Sequence, residues 1–248
     1  AKQNFQDGLR MLLRCWMNAA NKSRSKEQFE IAKTVGEELR ERLQSSGEHN
    51  SAIMAHVLKD IATNFSNFGK ASSALDAYRQ AYALERSLGV RDLEHVATCR
   101  GMADAHIGLK EYPNAFHFLG EAAAILEKEK PKSADLAVVL MRQATCQFRA
   151  GLCVVFWCVF VLKRKKKMVS VDQELAIRTF ERGLKLHGEC GAPQDTSVFA
   201  SYLWSFQGML MENKLFQRSI EIGEQAKTIL LKPGNEHPSM LKDVENRI

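Results

Sequence analysis

The sequence predicts an all-α protein built as a stack of antiparallel helix pairs. Three observations carry this expectation. Ala, Leu, Glu, Lys, Gln and Arg dominate the 248 residues and only five Pro interrupt them, a composition that favours helix. Small residues recur with large apolar residues at offsets that fall on one helical face. The whole pattern then returns at steps of 42 residues (Ala32 to Ala74) and 41 residues (Ala74 to Ala115), the mark of a repeat architecture.

The repeats can be taken in order. The second helix of each pair carries a small residue followed by further packing positions at +4, +7 and +10. In the first repeat, about 9–46, these are Ala32, Gly36 and Leu39, and the preceding helix offers Trp16 and Ala20. The second, about 50–88, has Ala74, Tyr78, Ala81 and Leu84, preceded by Leu58 and Ala62. The third, about 92–129, has Ala115, Leu119, Ala122 and Ile125, preceded by Cys99 and Ala103. The fourth, about 133–188, has Ala176, Phe180, Gly183 and Leu186, preceded by Leu140 and Ala144. The fifth, about 194–231, has Ser219, Gly223, Ala226 and Ile229, preceded by Trp204 and by Gly208, which sits one residue out of step. A further or capping helix begins within 237–248. Small residues on both helices permit close approach, and one such pair cannot bury its apolar stripe without a neighbour.

The fourth repeat is twenty residues too long, because the small residue due near 156 arrives at Ala176. Removing 152–171, "LCVVFWCVFVLKRKKKMVSV", restores a short turn between the two helices. That segment holds an apolar run including Phe156 and Trp157, and the cations Lys163, Arg164, Lys165, Lys166 and Lys167. These five account for most of the net charge of +6, leaving +1 on the rest of the chain. A high pI normally suggests nucleic acid. Here it reflects one short run, and no nucleic-acid partner is expected. The apolar run is too short to span a bilayer, which needs about 20 residues. Four readings of the segment stand open. It is a surface loop that contacts anionic membrane, with Cys153 and Cys158 open to lipidation. It is a nuclear-localisation or nucleic-acid patch. It is translated intron sequence. Or it is an evolved structural loop, tolerated because exposed turns accept insertions.

The six Cys form no CxxC pair, and with no secretory signal they read as free thiols of a cytoplasmic protein. The chain starts within a helical pattern and stops just after "HPSMLKDVENRI", so a section of a longer protein is expected. No catalytic pattern occurs: there is no G-x-S-x-G, no H-E-x-x-H, and the Gly69-Lys70 pair lacks the upstream Gly of a phosphate loop. His95 and Cys99 are four apart on one helix, and His187 and Cys190 are three apart, but each pair lacks two further ligands at useful spacing. No catalytic residue, cofactor or metal ion is therefore expected.

The pattern resembles the tetratricopeptide repeat. "WMNAANKS" at 16–23 matches that family's signature at the Trp and the small residue, and the step from small residue to Ala, then Tyr or Phe, then Ala supplies the remainder. The resemblance covers nearly the whole chain. Its long period departs from the usual 34 residues and is similar to kinesin-light-chain repeats, as are "GNEHPSM" at 234–240 and the helix end "ALERSLG". The resemblance implies a right-handed superhelix (α-solenoid) of about five antiparallel helix pairs, and a non-enzymatic scaffold or adaptor that binds a peptide or partner protein in its concave groove. By offset, the groove-facing residues of the first helices are His56, Lys59, Thr63 and Asn67, then His95, Arg100 and Asp104, then Met141, Thr145 and Arg149. Some repeats of the family clamp a terminal carboxylate with Lys and Asn. Lys59 matches one Lys position, but Thr63 and Val138 occupy others, so no carboxylate-clamp chaperone binding is expected. The alternatives are a membrane-surface protein anchored through 152–167, and a regulatory repeat domain of a larger protein.

Overall fold

The computed structural model describes residues 8, 11, 14–15, 17–19, 25–48, 51–160, 169–235 and 237–248, with the backbone alone described for 151–160 and 169–172. Every regular element among the described residues is helical. Beyond the helical residues within 8–19, the described helices are, in order, α1 (Lys26–Ser45), α2 (Ala52–Asn67), α3 (Ala71–Ser87), α4 (Leu93–Gly108), α5 (Tyr112–Glu129), α6 (Ala134–Phe160), α7 (Val169–Glu189), α8 (Ser197–Glu212), α9 (Phe216–Leu230) and α10 (Pro238–Glu245). The chain divides into two compact units, 1–125 and 126–248, with the boundary inside α5.

Two kinds of junction alternate along the chain. From the second pair onward the first helix opens on a polar cap: Ser51 Oγ accepts from the Met54 N–H, Asp92 from Glu94, Ser133 from Leu136 and Thr196 from Phe199. Such caps satisfy N–H groups that the first turn leaves unpaired. Between pairs the preceding helix ends on a left-handed Gly47, Gly89 or Gly191, and the turns inside pairs likewise pass through a left-handed residue, Gly69, Lys110 or Lys214. In each, the next N–H reaches back to close the helix end, from Lys70 to Phe65, from Glu111 to His106 and from Leu215 to Leu210. α3 and α9 start directly from these turns without a side-chain cap.

Most packing positions read from the sequence lie in the cores of the two units, whereas Ile125, Leu186, Trp204 and Gly208 are only half-buried and Trp16 and Ala20 lie outside the described residues. In the first unit Ala32, Ala74, Ala81, Ala115, Leu119 and Ala122 are at most 1% exposed, as are Ala62, Cys99 and Ala103 on the partner helices. In the second, Ala144, Ala176, Phe180 and Ala226 are fully buried and Ser219 is nearly so. Gly183 shows why small residues are needed: a Cβ there would lie 2.7 Å from Met141 Cγ and 2.9 Å from the Ala137 carbonyl oxygen. Phe180 and Phe206 stack with rings parallel and centroids 4.7 Å apart. Phe68, at the end of α2, packs on Phe29 with ring centroids 4.6 Å apart, whereas Phe216, at a similar turn, remains 56% exposed.

The described residues of the long fourth repeat are largely helical. α6 continues through Phe160 and α7 begins at Val169, so much of 152–171 extends the two helices. The side chains of Phe156 and Trp157, and all of Lys163 to Lys167, lie outside the described residues. No described helix is long and apolar enough to cross a membrane.

Candidate functional site

In the first unit, α2 and α4 together present a concavity of about 280 Å³ lined by Arg14, His56, Lys59, Asp60, Thr63, Tyr78, Glu94 and Ala97. Helical spacing puts His56, Lys59 and Thr63 on one face of α2. His56 Nε2 lies 3.2 Å from a Glu94 carboxylate oxygen. Asp60 is largely buried and receives Arg14 Nε at 3.3 Å. The Thr63 hydroxyl donates to the Lys59 carbonyl at 2.8 Å and meets the Tyr78 hydroxyl at 3.0 Å. Gly101 makes room for that tyrosine, since a Cβ there would lie 2.2 Å from the ring. Burial raises the Tyr78 pKa, so the phenol remains a neutral hydrogen-bonding group.

Beneath this surface lies a polar network that joins four helices. Glu85 of α3, 2% exposed, takes Lys59 Nζ at 2.9 Å, Thr98 Oγ1 at 2.8 Å and His95 Nδ1 at 2.8 Å. The other ring nitrogen of His95 faces Glu121 Oε1 of α5 at 3.3 Å, and the Tyr82 hydroxyl donates to Glu121 Oε2 at 2.9 Å. Burial works against an ionised Glu85, but the bonds from His95, Lys59 and Thr98 outweigh it and hold the carboxyl below its usual range. The bond to Glu85 raises the His95 pKa against the opposing effect of burial, and Glu121 adds to it. Cys99, in the same layer, has its thiol pushed well up by burial.

In the second unit, α6 and α8 present a concavity of about 250 Å³, with Thr145, Phe148 and Arg149 on one side and Trp204, Ser205, Gly208, Met209 and Glu212 on the other. Arg247 closes it, its guanidinium 5.1 Å from the Trp204 ring centre and its NH1 donating to the Trp204 carbonyl at 3.4 Å. The indole Nε1 of Trp204 is buried without a partner among the described residues.

The residues expected on a groove therefore fall into three groups. His56, Lys59 and Thr63 meet in one concavity, and Thr145 and Arg149 meet in the other. Asn67 is exposed at the end of α2, and Arg100 and Asp104 are half-buried on α4, each with partners of its own. Two expectations need correction. His95 is fully buried inside the network, and Met141 is fully buried under Gly183, so neither faces a groove. The offset rule took neighbouring positions on a first helix as exposed, but those helices are packed on more than one side. Lys59 is also less available than expected, its ammonium being committed to Glu85. Sequence reasoning missed Glu85 and Glu121 because both sit on second helices, whereas the groove was read from the first helices alone.

No family model matches the chain, and no curated protein matches its sequence. Solved structures do match. The nearly identical TPR-like repeats of a Podosopora anserina protein named as a kinesin light chain superpose with a TM-score of 0.65 at 13% identity, over 92% of this chain and 99% of that one. A Q17M form of it gives 0.66 at 13% identity, over 89% and 95%. BtubC (BKLC) from P. vanneervenii gives 0.62 at 16% identity, over 93% and 84%. The fold is that of tetratricopeptide-like repeats of the kinesin-light-chain type. At this level of identity the likeness speaks for the arrangement of helices and not for any shared ligand.

Proposed function

We propose that the chain is a non-enzymatic scaffold of the cytoplasm that binds a peptide or a partner protein along the faces of its first helices. The observation that carries this reading is the pair of open concavities, about 280 and 250 Å³, one on α2 and α4 and the other on α6 and α8. Each combines apolar walls with a few polar groups: Tyr78 and Ala97 beside His56 and Thr63, and Trp204 and Met209 beside Thr145 and Arg149. A segment with alternating apolar and polar anchors suits such a surface, because apolar burial supplies affinity while the polar groups fix register. The repeat fold supports the same reading, since such arrays expose long faces while each repeat packs only on its neighbours.

The test is selection of peptides from a random display library on the purified chain, followed by binding isotherms with two variants. Thr63→Lys fills the first concavity and Ser205→Lys the second. At least one is expected to weaken the selected peptides about tenfold or more, with the circular dichroism spectrum unchanged. Peptides that bind both folded variants as well as they bind the original chain, or a library that yields no binder, would overturn the proposal.

A further inference from the structure

The network of the first unit has a feature that peptide binding does not require. Three side chains of different donor chemistry converge in it: His95 and Cys99 from α4, and Glu121 from α5. One donor atom of each lies within 4.8 Å of the other two. His95 and Cys99 are fully buried, while the Glu121 side chain is 31% exposed. We propose that His95 Nε2, Cys99 Sγ and Glu121 Oε1 form a binding site for a zinc ion.

The geometry is close to what tetrahedral zinc needs. Zinc binds imidazole nitrogen and carboxylate oxygen at about 2.0–2.1 Å, which sets their separation on a tetrahedron at about 3.3 Å. His95 Nε2 and Glu121 Oε1 are already 3.3 Å apart. A sulfur at about 2.3 Å from the ion would sit about 3.5 Å from each of the other donors, so the thiol must close on them by about 1.3 Å at most. A change of that size lies within the reach of side-chain rotation.

The surroundings orient the donors. His95 Nδ1 lies 2.8 Å from Glu85 Oε2, and Glu85 is itself held by Thr98 and Lys59. With Nδ1–H donated to this carboxylate, the lone pair of Nε2 points at the site. Histidines that ligate zinc are ordinarily set this way, by a carboxylate behind the ring. Glu121 is steadied in turn by the Tyr82 hydroxyl on its other oxygen, which leaves Oε1 for the ion.

Access comes from one side. Glu121 and Tyr82 line an open concavity of about 420 Å³ with Phe116, His117 and Arg86. Through it an ion reaches the carboxylate first, and water takes the fourth position. The nitrogen, sulfur and oxygen donors select against magnesium and calcium, which prefer oxygen alone. Because α4 and α5 belong to one repeat, the ion ties that helix pair together at mid-height.

The test uses the full chain, freed of metal by a chelator and still helical by circular dichroism. A variant with Cys15, Cys153, Cys158 and Cys190 changed to Ser serves as the reference. Zinc titration against a chromophoric chelator is expected to give one ion per chain. Cobalt in its place is expected to give a sulfur-to-metal charge-transfer band. Cys99→Ala in the reference is expected to abolish the band. Glu85→Gln, which leaves all three ligands in place, is expected to weaken zinc binding by about 10- to 100-fold. X-ray absorption of the zinc-loaded reference, which needs no core variant, is expected to show one sulfur and the remaining ligands nitrogen or oxygen. A folded reference that takes up no stoichiometric zinc overturns the proposal. So does a band that persists after Cys99→Ala, or a zinc shell without sulfur.

Discussion

Two buried histidines show how differently the two units build their interiors. His95 in the first unit is fully buried and sits between two carboxylates. His187 in the second is 6% exposed, stacks on Phe199 at 4.7 Å, and its Nδ1 has no partner among the described residues. Their pKa values move in opposite directions, up for His95 because of Glu85 and down for His187 because of burial. The same contrast extends outward. Around His95 the first unit ties Lys59, Glu85, Thr98 and Glu121 into one network, whereas the second unit centres on the Phe180–Phe206 stack, Met141 and Leu210. The repeat fold thus tolerates either a polar or an apolar filling between helix pairs. A polar filling holds only when every charge finds a partner.

The sharpest way to break this contrast is to remove the hub of each interior. Glu85→Ala leaves His95 and Lys59 without their carboxylate and is expected to cost about 3–5 kcal/mol, the usual penalty for orphaning a buried charge. Phe206→Ala, at 1% exposure, is expected to cost about 3–5 kcal/mol through the cavity it leaves. Urea unfolding measures both. A double substitution of Glu85 and His95 to apolar residues should recover part of the first loss, while no second change next to Phe206 should restore the second.

Gly183→Ala comes next, at about 1–3 kcal/mol, because its Cβ would strike Met141 and the Ala137 carbonyl. Gly208→Ala is its control. There the new methyl meets only the flexible end of Arg247, at 3.1 Å, so the change should be neutral or slightly stabilising. Equal costs at the two glycines, in thermal denaturation, would show that close approach is not what Gly183 provides.

The dependence on pH is smaller and is recognised by its sign. His95 binds its proton more tightly when folded, so its contribution is complete below the ordinary imidazole value of about 6.5 and is lost as pH rises through the folded value. His187 binds its proton less tightly, so its contribution is present above about 6.5 and is lost as pH falls from there towards the folded value. Proton NMR titration of the metal-free chain should place His95 above and His187 below the unperturbed value, and His187→Phe should remove the loss of stability on the acid side. Smallest of all, breaking the exposed Arg178–Glu174 pair with Glu174→Gln should cost no more than about 0.5 kcal/mol.

Much of the architecture was legible before any coordinates, because it rests on sterics that a single residue announces. Ala74, Ala115 and Ala176 were found by spacing alone and are all fully buried. The excess length of the fourth repeat was visible for the same reason, although its helical continuation was not. A run such as "LCVVFWCVF" has no polar face from which to read a helical period. The candidate site was less legible. His56, Lys59 and Thr63 share one helix face, so offsets placed them together. Glu85, His95 and Glu121 come from three helices and only tertiary packing brings them into register. The pair His95 and Cys99 was visible, but its third donor lies 22 residues beyond Cys99, across a turn.

α6 is 27 residues long against 16 for α8, an excess of about 16 Å at 1.5 Å per residue. That growth lies between two helices that pack on each other. Material added at such a junction leaves the phase of the repeats before and after it unchanged. A lengthened junction is therefore a natural place for such a protein to acquire a new appendage at little risk to its scaffold. Ala144 and Ala176, buried on either side of twenty added residues, show the phase preserved.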